Sequence, residues 1–117
     1  MKPVYIEKWP EHGEQFVQLG NHHWAVPRLI ELSKKLEVME LPVQALMIDQ
    51  EKRYYPREFV MHMRAVLDAD LKYPIILDED GAIMDGRHRI LKALHLNKKT
   101  IKAVRFDTNP PPCKIDQ

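Results

Sequence analysis

The sequence has a single cysteine, Cys113, so no internal disulfide can form and a reducing cytosol is the expected compartment. It has no long apolar run. The longest clean aliphatic stretch is Ile75-Ile76-Leu77, far short of the ~20 residues that cross a bilayer. The opening Met1-Lys2-Pro3-Val4-Tyr5 offers no apolar segment of the kind a secretory leader needs, which again favours the cytoplasm. There is no internal repeat, and the one low-complexity tract is Pro110-Pro111-Pro112. Net charge is almost absent, at +1 for 117 residues, so total charge argues neither for nor against nucleic acid.

What is present is an ordinary globular balance, 44% hydrophobic and 30% charged, over a length suited to one domain with a modest core. The charge is segregated. Between Asp85 and Arg105 stand Arg87, Arg89, Lys92, Lys98, Lys99, Lys102 and Arg105 against the single acid Asp85. Such clustering makes a local positive field without a basic protein, and it suits a small anion better than a long duplex. The alternative is a solvated lysine face on one helix.

Residues 1–25 lack clear periodicity and carry Pro3, Pro10, Gly13 and Gly20; they read as a loosely ordered arm with one short strand at Val4–Ile6. Pro27 suits a helix start, with Leu29, Ile30, Ser33 and Leu36 at helical spacing. Glu37 to Leu41 alternates as a strand stopped by Pro42, and Val43 to Met47 suits a short helical turn. A polar loop, Asp49 to Tyr55, leads to Pro56 and a second helix. There Phe59, Val60, Met63, Val66 and Leu67 share a core-facing side, and Arg64 and Asp68 can pair. His62 falls opposite that stripe and is expected in solvent.

Tyr73 to Leu77 reads as a strand buried on both faces, and Asp78-Glu79-Asp80-Gly81 as the turn of a hairpin into Ala82-Ile83-Met84. A helix from Arg87 to about Leu96 follows, with Asn97 as a left-handed cap, then a strand from Ile101 to Phe106. The order predicts a small α/β (α+β) domain, a mixed sheet with packed helices. The expected boundaries are 1–36 for an arm and helix packed on the domain, 37–107 for the domain, and 108–117 for an extended tail.

The turn Asp85-Gly86-Arg87-His88-Arg89 carries the chemistry. A helix N-terminus disfavours cations by about 0.3–1 kcal/mol each, yet Arg87, His88 and Arg89 crowd into this one. A bound phosphate reverses the sign of that problem, and Gly86 lets backbone approach it closely. The alternative is local: Asp85 as N-cap, Gly86 closing the turn, and the arginines paired with Asp78, Glu79 or Asp80.

The run from Tyr73 to Ala93, with these two turns inside it, resembles the central motif of the ParB/sulfiredoxin superfamily. Val38 to Leu46 resembles that family's opening strand and helical turn, so the resemblance covers Val38 to Phe106. It implies a phosphate-holding turn between strand and helix. Sulfiredoxins carry a Gly-Gly-Cys-His-Arg type motif, but Arg87 stands at the place of the catalytic cysteine and Cys113 lies outside. Partition proteins carry a Gly-Glu-Arg-Arg type motif whose glutamate serves a CTP site, and Arg87 replaces that residue too. The helix-turn-helix of full-length partition proteins has no room in this sequence. The nearest local pattern is the Asp-Gly-His-His-Arg of the free-serine kinase branch, matched by Asp85, Gly86, His88 and Arg89.

The resemblance implies ATP or another nucleoside triphosphate with Mg²⁺. Gly86, Arg87, His88 and Arg89 would hold phosphate, and Asp85 would bind the metal or accept a proton. His88 would donate or act as base, and Asp49, or Glu51, would be a second acid. The bland readings are a structural imidazole for His88 and plain loop acids for Asp49 and Glu51. Tyr54-Tyr55-Pro56-Arg57 either lines a base or staples a helix start. His12, His22 and His23 lack a completing ligand for a metal set, and Trp24 reads as an anchor beside the Leu29/Ile30 helix. The expected function is nucleoside-phosphate binding, with ATPase or small-molecule kinase activity on a hydroxyl substrate as its catalytic form. A DNA-binding, partition-accessory module is the alternative.

Overall fold

The computed structural model describes residues 15–46 and 55–116. The strand expected at Val4–Ile6, together with His12, Met47, Asp49, Glu51 and Tyr54, lies outside the described residues. The chain order is β1 (Phe16–Leu19), β2 (His22–Ala25), α1 (Val26–Ser33), β3 (Met39–Pro42), a 3-10 turn (Val43–Ala45), α2 (Pro56–Asp68), β4 (Ile75–Leu77), β5 (Ile83–Asp85), α3 (Arg87–His95), β6 (Thr100–Arg105) and β7 (Lys114–Ile115). The class is α+β, as the sequence predicts.

The central sheet runs β3-β6-β4-β5, with β4 parallel to β6 and the other pairs antiparallel. Strand alternation divides its core between two faces. Ile75, Leu77, Ile83, Ile101 and Ala103 pack with Ile90 and Ala93 of α3 and with Val43. Ile76, Met84, Val104 and Phe106 pack on the other face with Leu29 of α1 and Trp24. Each buried aliphatic side chain contributes about 1.5–3 kcal/mol. Sheet strands buried on both sides thus hold α1 and α3 on opposite faces.

The strand expected from Tyr73 begins instead at Ile75. Pro74 has no N–H to give a ladder, and the Tyr73 and Pro74 carbonyls accept hydrogen bonds from Arg89. The 78–81 turn forms as expected: Asp78, 6% exposed, accepts from the Asp80 and Ala82 N–H groups at 2.9 and 2.7 Å. Asn97 does cap α3 with φ of 55°.

Two readings are corrected. Residues 16–25 are not a loose arm but an antiparallel hairpin, with Leu19 opposite His22 across Gly20-Asn21. Gly20, at φ +62°, takes the first turn position that a two-residue hairpin gives to glycine. And the tail does not stay a plain extension, because β7 pairs with β2. The tail straps the hairpin through Trp24 Nε1 to Pro110 O at 2.8 Å and the Cys113 N–H to His23 O at 2.7 Å, and α1 through Arg28 Nη1 to Pro111 O at 2.8 Å. The Cys113 thiol lies below its ordinary value, chiefly through the Ala25 backbone N–H and then Arg28.

The strap also carries a pH dependence. His23 Nε2 meets Asp116 Oδ2 at 2.8 Å, and this hydrogen bond, with the smaller pull of His23 and Lys114 charge, holds the Asp116 carboxyl below its usual value. A depressed carboxyl stabilises the fold above its unfolded value of about 3.9 and ceases to do so as pH falls through the folded value. The protection factors of the Lys114 and Ile115 amides, taken relative to intrinsic exchange at each pH, should therefore fall on acidification below about pH 4. Asp116→Asn should lose that acid-side step; an unchanged profile in the variant would rule the pair out as its cause.

Candidate functional site

Helix α3 starts directly after β5, and Gly86 makes that junction possible. Its φ is +110°, and a Cβ placed there would lie 2.5 Å from Ile75 Cγ2 and 3.1 Å from Ile75 Cα. Gly86 is itself the N-cap, so the helix has no side-chain cap and no acid in its first turn. The first intrahelical bond is Ile90 N–H to Gly86 O at 3.0 Å. The N–H groups of Arg87, His88 and Arg89 thus have no intrahelical acceptor, and the helix dipole adds to their positive field.

Asp85 is not the N-cap that its position suggested. Its Oδ2 accepts from Arg89 Nη2 at 2.6 Å, one turn along, with the two side chains only 19% and 16% exposed. Arg89 Nη1 donates to Pro74 O at 2.7 Å and Tyr73 O at 3.1 Å. One guanidinium therefore ties the loop before β4 to the end of β5. Asp78, Glu79 and Asp80 are not the partners of Arg87 or Arg89. Asp78 serves its own turn, and the Glu79 carbonyl accepts from Arg105. Arg87 is exposed and makes no hydrogen bond or ion pair with the described residues.

His88 Nε2 lies 2.9 Å from His62 Nδ1, with the rings 5.2 Å apart and inclined at 41°. This corrects the expectation of a solvated His62: it faces α3 and joins the two helices. Lys92 of α3 reinforces the contact, its Nζ donating to Leu67 O at 2.8 Å and Ala69 O at 2.6 Å and so capping the C-terminus of α2. Consequently the stripe of Phe59, Val60, Met63 and Leu67 does not face the core, and Arg64 and Asp68 do not pair.

The turn opens onto a groove of about 1140 Å³, a little above the volumes of ligand pockets, which run to about 1,000 Å³. Ile76, Met84 and Val104 form its floor; Phe16 and Val17 of β1 and Ile30 of α1 form one wall, and Ala65, Ala69 and Tyr73 the other. Asp85, Gly86, Arg87, His88 and Arg89 all border it, so the structure brings these expected residues together. Asp49 falls outside the described residues. Tyr55, 80% exposed, does not border the groove. Lys34 and Asp70 do, and sequence reasoning missed them along with the β1 wall. The signal for that wall was Gly20-Asn21 between two short alternating runs.

Among the described residues no three of His, Cys, Asp and Glu are grouped to hold a cation. Asp85 Oδ2 is already engaged by a guanidinium, and His23 is engaged by Asp116 while His22 lies edge-on to Trp24. No model of a known protein family matches the chain, and no curated protein matches it.

Proposed function

We propose that the chain is a ParB/sulfiredoxin-like domain that binds a nucleoside phosphate, with the phosphate on the Asp85–Arg89 turn and the nucleoside along the groove. One observation carries the reading: an α-helix with an uncapped, acid-free N-terminus borders a groove of ligand size. The Arg87, His88 and Arg89 N–H groups would hold phosphate oxygens, with the Arg87 guanidinium as the mobile charge. Arg89 serves mainly by fixing the turn, because three of its N–H bonds are spent on Tyr73, Pro74 and Asp85. The apolar floor and Tyr73 suit the flat face of a base.

The DNA-binding alternative has less behind it. Arg89, Lys92 and Arg105 of the basic segment are engaged in internal hydrogen bonds. The cations left for a phosphate backbone are Arg87, Lys98, Lys99 and Lys102.

Thermal unfolding with ATP, ADP, CTP and GTP, with and without Mg²⁺, tests the proposal. A nucleotide present at a hundred-fold excess over Kd stabilises the fold by about 2.7 kcal/mol, a melting shift of several degrees. Arg87→Ala should leave the free protein within about 0.5 kcal/mol of wild type, since the side chain is exposed, while removing most of that shift. No shift with any nucleotide would sink the reading. Phosphate release from a nucleotide that does bind distinguishes an ATPase or kinase from a binding module, and salt-sensitive binding of duplex DNA in its place would favour the alternative.

A further inference from the structure

Helix α2 is held on the domain differently from α1 and α3. None of its side chains is buried, and it adds no residue to the two core clusters of the described chain. A helix of 13 residues is marginal in water by itself, so its order depends on what docks it. Met61, Ala65 and Val66 are half-buried on the docked side. Two polar links to α3 add to them. Lys92 Nζ holds the C-terminal end at Leu67 O and Ala69 O, and His62 Nδ1 meets His88 Nε2 at 2.9 Å in the middle of the helix.

We propose that the His62–His88 pair is a pH-sensitive latch, closed when at least one ring is neutral and released by acid, with the Lys92 end as its hinge. One hydrogen lies between the two facing nitrogens: one ring donates it and the other accepts. The bond therefore survives with both rings neutral or with one charged. It fails when both are charged, because two N–H donors then face each other and two like charges adjoin. Opening lets the pair take up one proton more than the closed bond allows. By linkage, the closed-to-open ratio falls by up to about ten-fold per pH unit on the acid side of the ordinary histidine value of about 6.5. Acid cannot deprotonate the Lys92 ammonium, so the hinge keeps its bonds.

The described charges around the pair come from both helices. Glu58 lies one turn before His62 on α2; Arg87 adjoins His88, and Lys92 and His95 follow it along α3. Asp85, just before α3, is paired with Arg89. The cations thus sit beside His88 and the acid beside His62, an arrangement that tolerates one imidazolium better than two. Strands β4 and β6 and the 3-10 turn meet α3 with Ile75, Leu77, Ile101, Ala103 and Val43, none of them titratable. Ala65 of α2 and Ala69 just beyond it line one wall of the groove, so releasing α2 opens the groove, whatever it binds.

Hydrogen exchange of the whole chain from about pH 8 to about pH 4.5, read as protection relative to intrinsic exchange at each pH, tests the latch. That range stays above the acid loosening of the Asp116 strap. The amides of residues 61–66 should lose protection by up to about ten-fold per pH unit below about pH 6.5, while Ile76 and Val104 of the central sheet keep theirs. His62→Asn places near the Nδ1 position an amide that can donate or accept, so its α2 protection should stay flat with pH. His62→Ala should leave α2 weakly protected at every pH. A flat wild-type profile overturns the proposal, as does an α2 unprotected even at the alkaline end. So does an acid-side slope that His62→Asn or His62→Ala retains.

Discussion

Replacing Gly86 by alanine should cost about 2–4 kcal/mol of unfolding free energy, a large share of the 5–15 kcal/mol typical of a domain. Two effects add. The first is backbone strain, because φ is +110° where a Cβ crowds the following carbonyl. The second is packing: the added carbon would stand 2.5 Å from Ile75 Cγ2, 2.9 Å from its Cβ and 3.1 Å from its Cα. Ile75 is fully buried against Ile90 and Ala93, so no rotamer change relieves a contact that includes backbone. Gly81 supplies the control. Its φ is +88°, but nothing lies within 4 Å of its added Cβ, so Gly81→Ala should show the strain alone, about 1–2 kcal/mol. Urea titration of both variants measures the difference. Equal losses at the two positions would mean that close packing of β4 against the α3 junction contributes nothing.

The same junction shows what a sequence can disclose. Its local chemistry was legible: Asp78 to Gly81 as a hairpin turn, Asn97 as a left-handed cap, and Ile90 as a core residue of a helix opening at Arg87. These follow from short-range rules that act within a few residues. The 16–25 hairpin was harder to see, because part of what holds it is remote in sequence. Its β2 strand owes its place to β7 and to Trp24, whose indole reaches Pro110, 86 positions away. The apolar ridge of α2 misled for a related reason. Periodicity identified an amphipathic helix correctly but not which side would be covered, and His62 and Lys92 bind the helix to α3 by the other side.

Charge near the α3 N-terminus was visible in the sequence, but its use was not. Three basic residues in one turn looked equivalent, and the fold separates them. Arg87 points to solvent, His88 reaches α2, and Arg89 turns back to the chain that precedes β4. Asp85 was legible as an important acid, but its pairing with Arg89 was not among the roles the sequence suggested. At i, i+4 from Arg89 it also satisfies the ordinary helix-spacing rule, but Asp85 ends β5 and lies outside the helix, which hid the pattern.

That separation gives the second large effect. Arg89→Ala should destabilise the fold by about 2–4 kcal/mol, near the lower part of the 3–5 kcal/mol expected when one partner of a buried pair is removed. The deletion strips the Asp85 carboxylate, 19% exposed, of its cation and frees the carbonyls of Tyr73 and Pro74. Arg89→Lys should recover only part of the loss, because one ammonium cannot span Asp85 and two carbonyls as a planar fork does. Asp85→Asn should cost less than Arg89→Ala, since an amide oxygen still accepts the Nη2 bond. A double-mutant cycle between the two positions should give a coupling of about 1 kcal/mol or more, and additive losses would show the pair to be incidental. Arg87→Ala differs in kind: its stability stays near wild type, and its deficit appears in the nucleotide shift. If Arg89→Ala proved as stable as Arg87→Ala, Arg89 would not be the staple of the turn, and its guanidinium would be free to meet a phosphate after all.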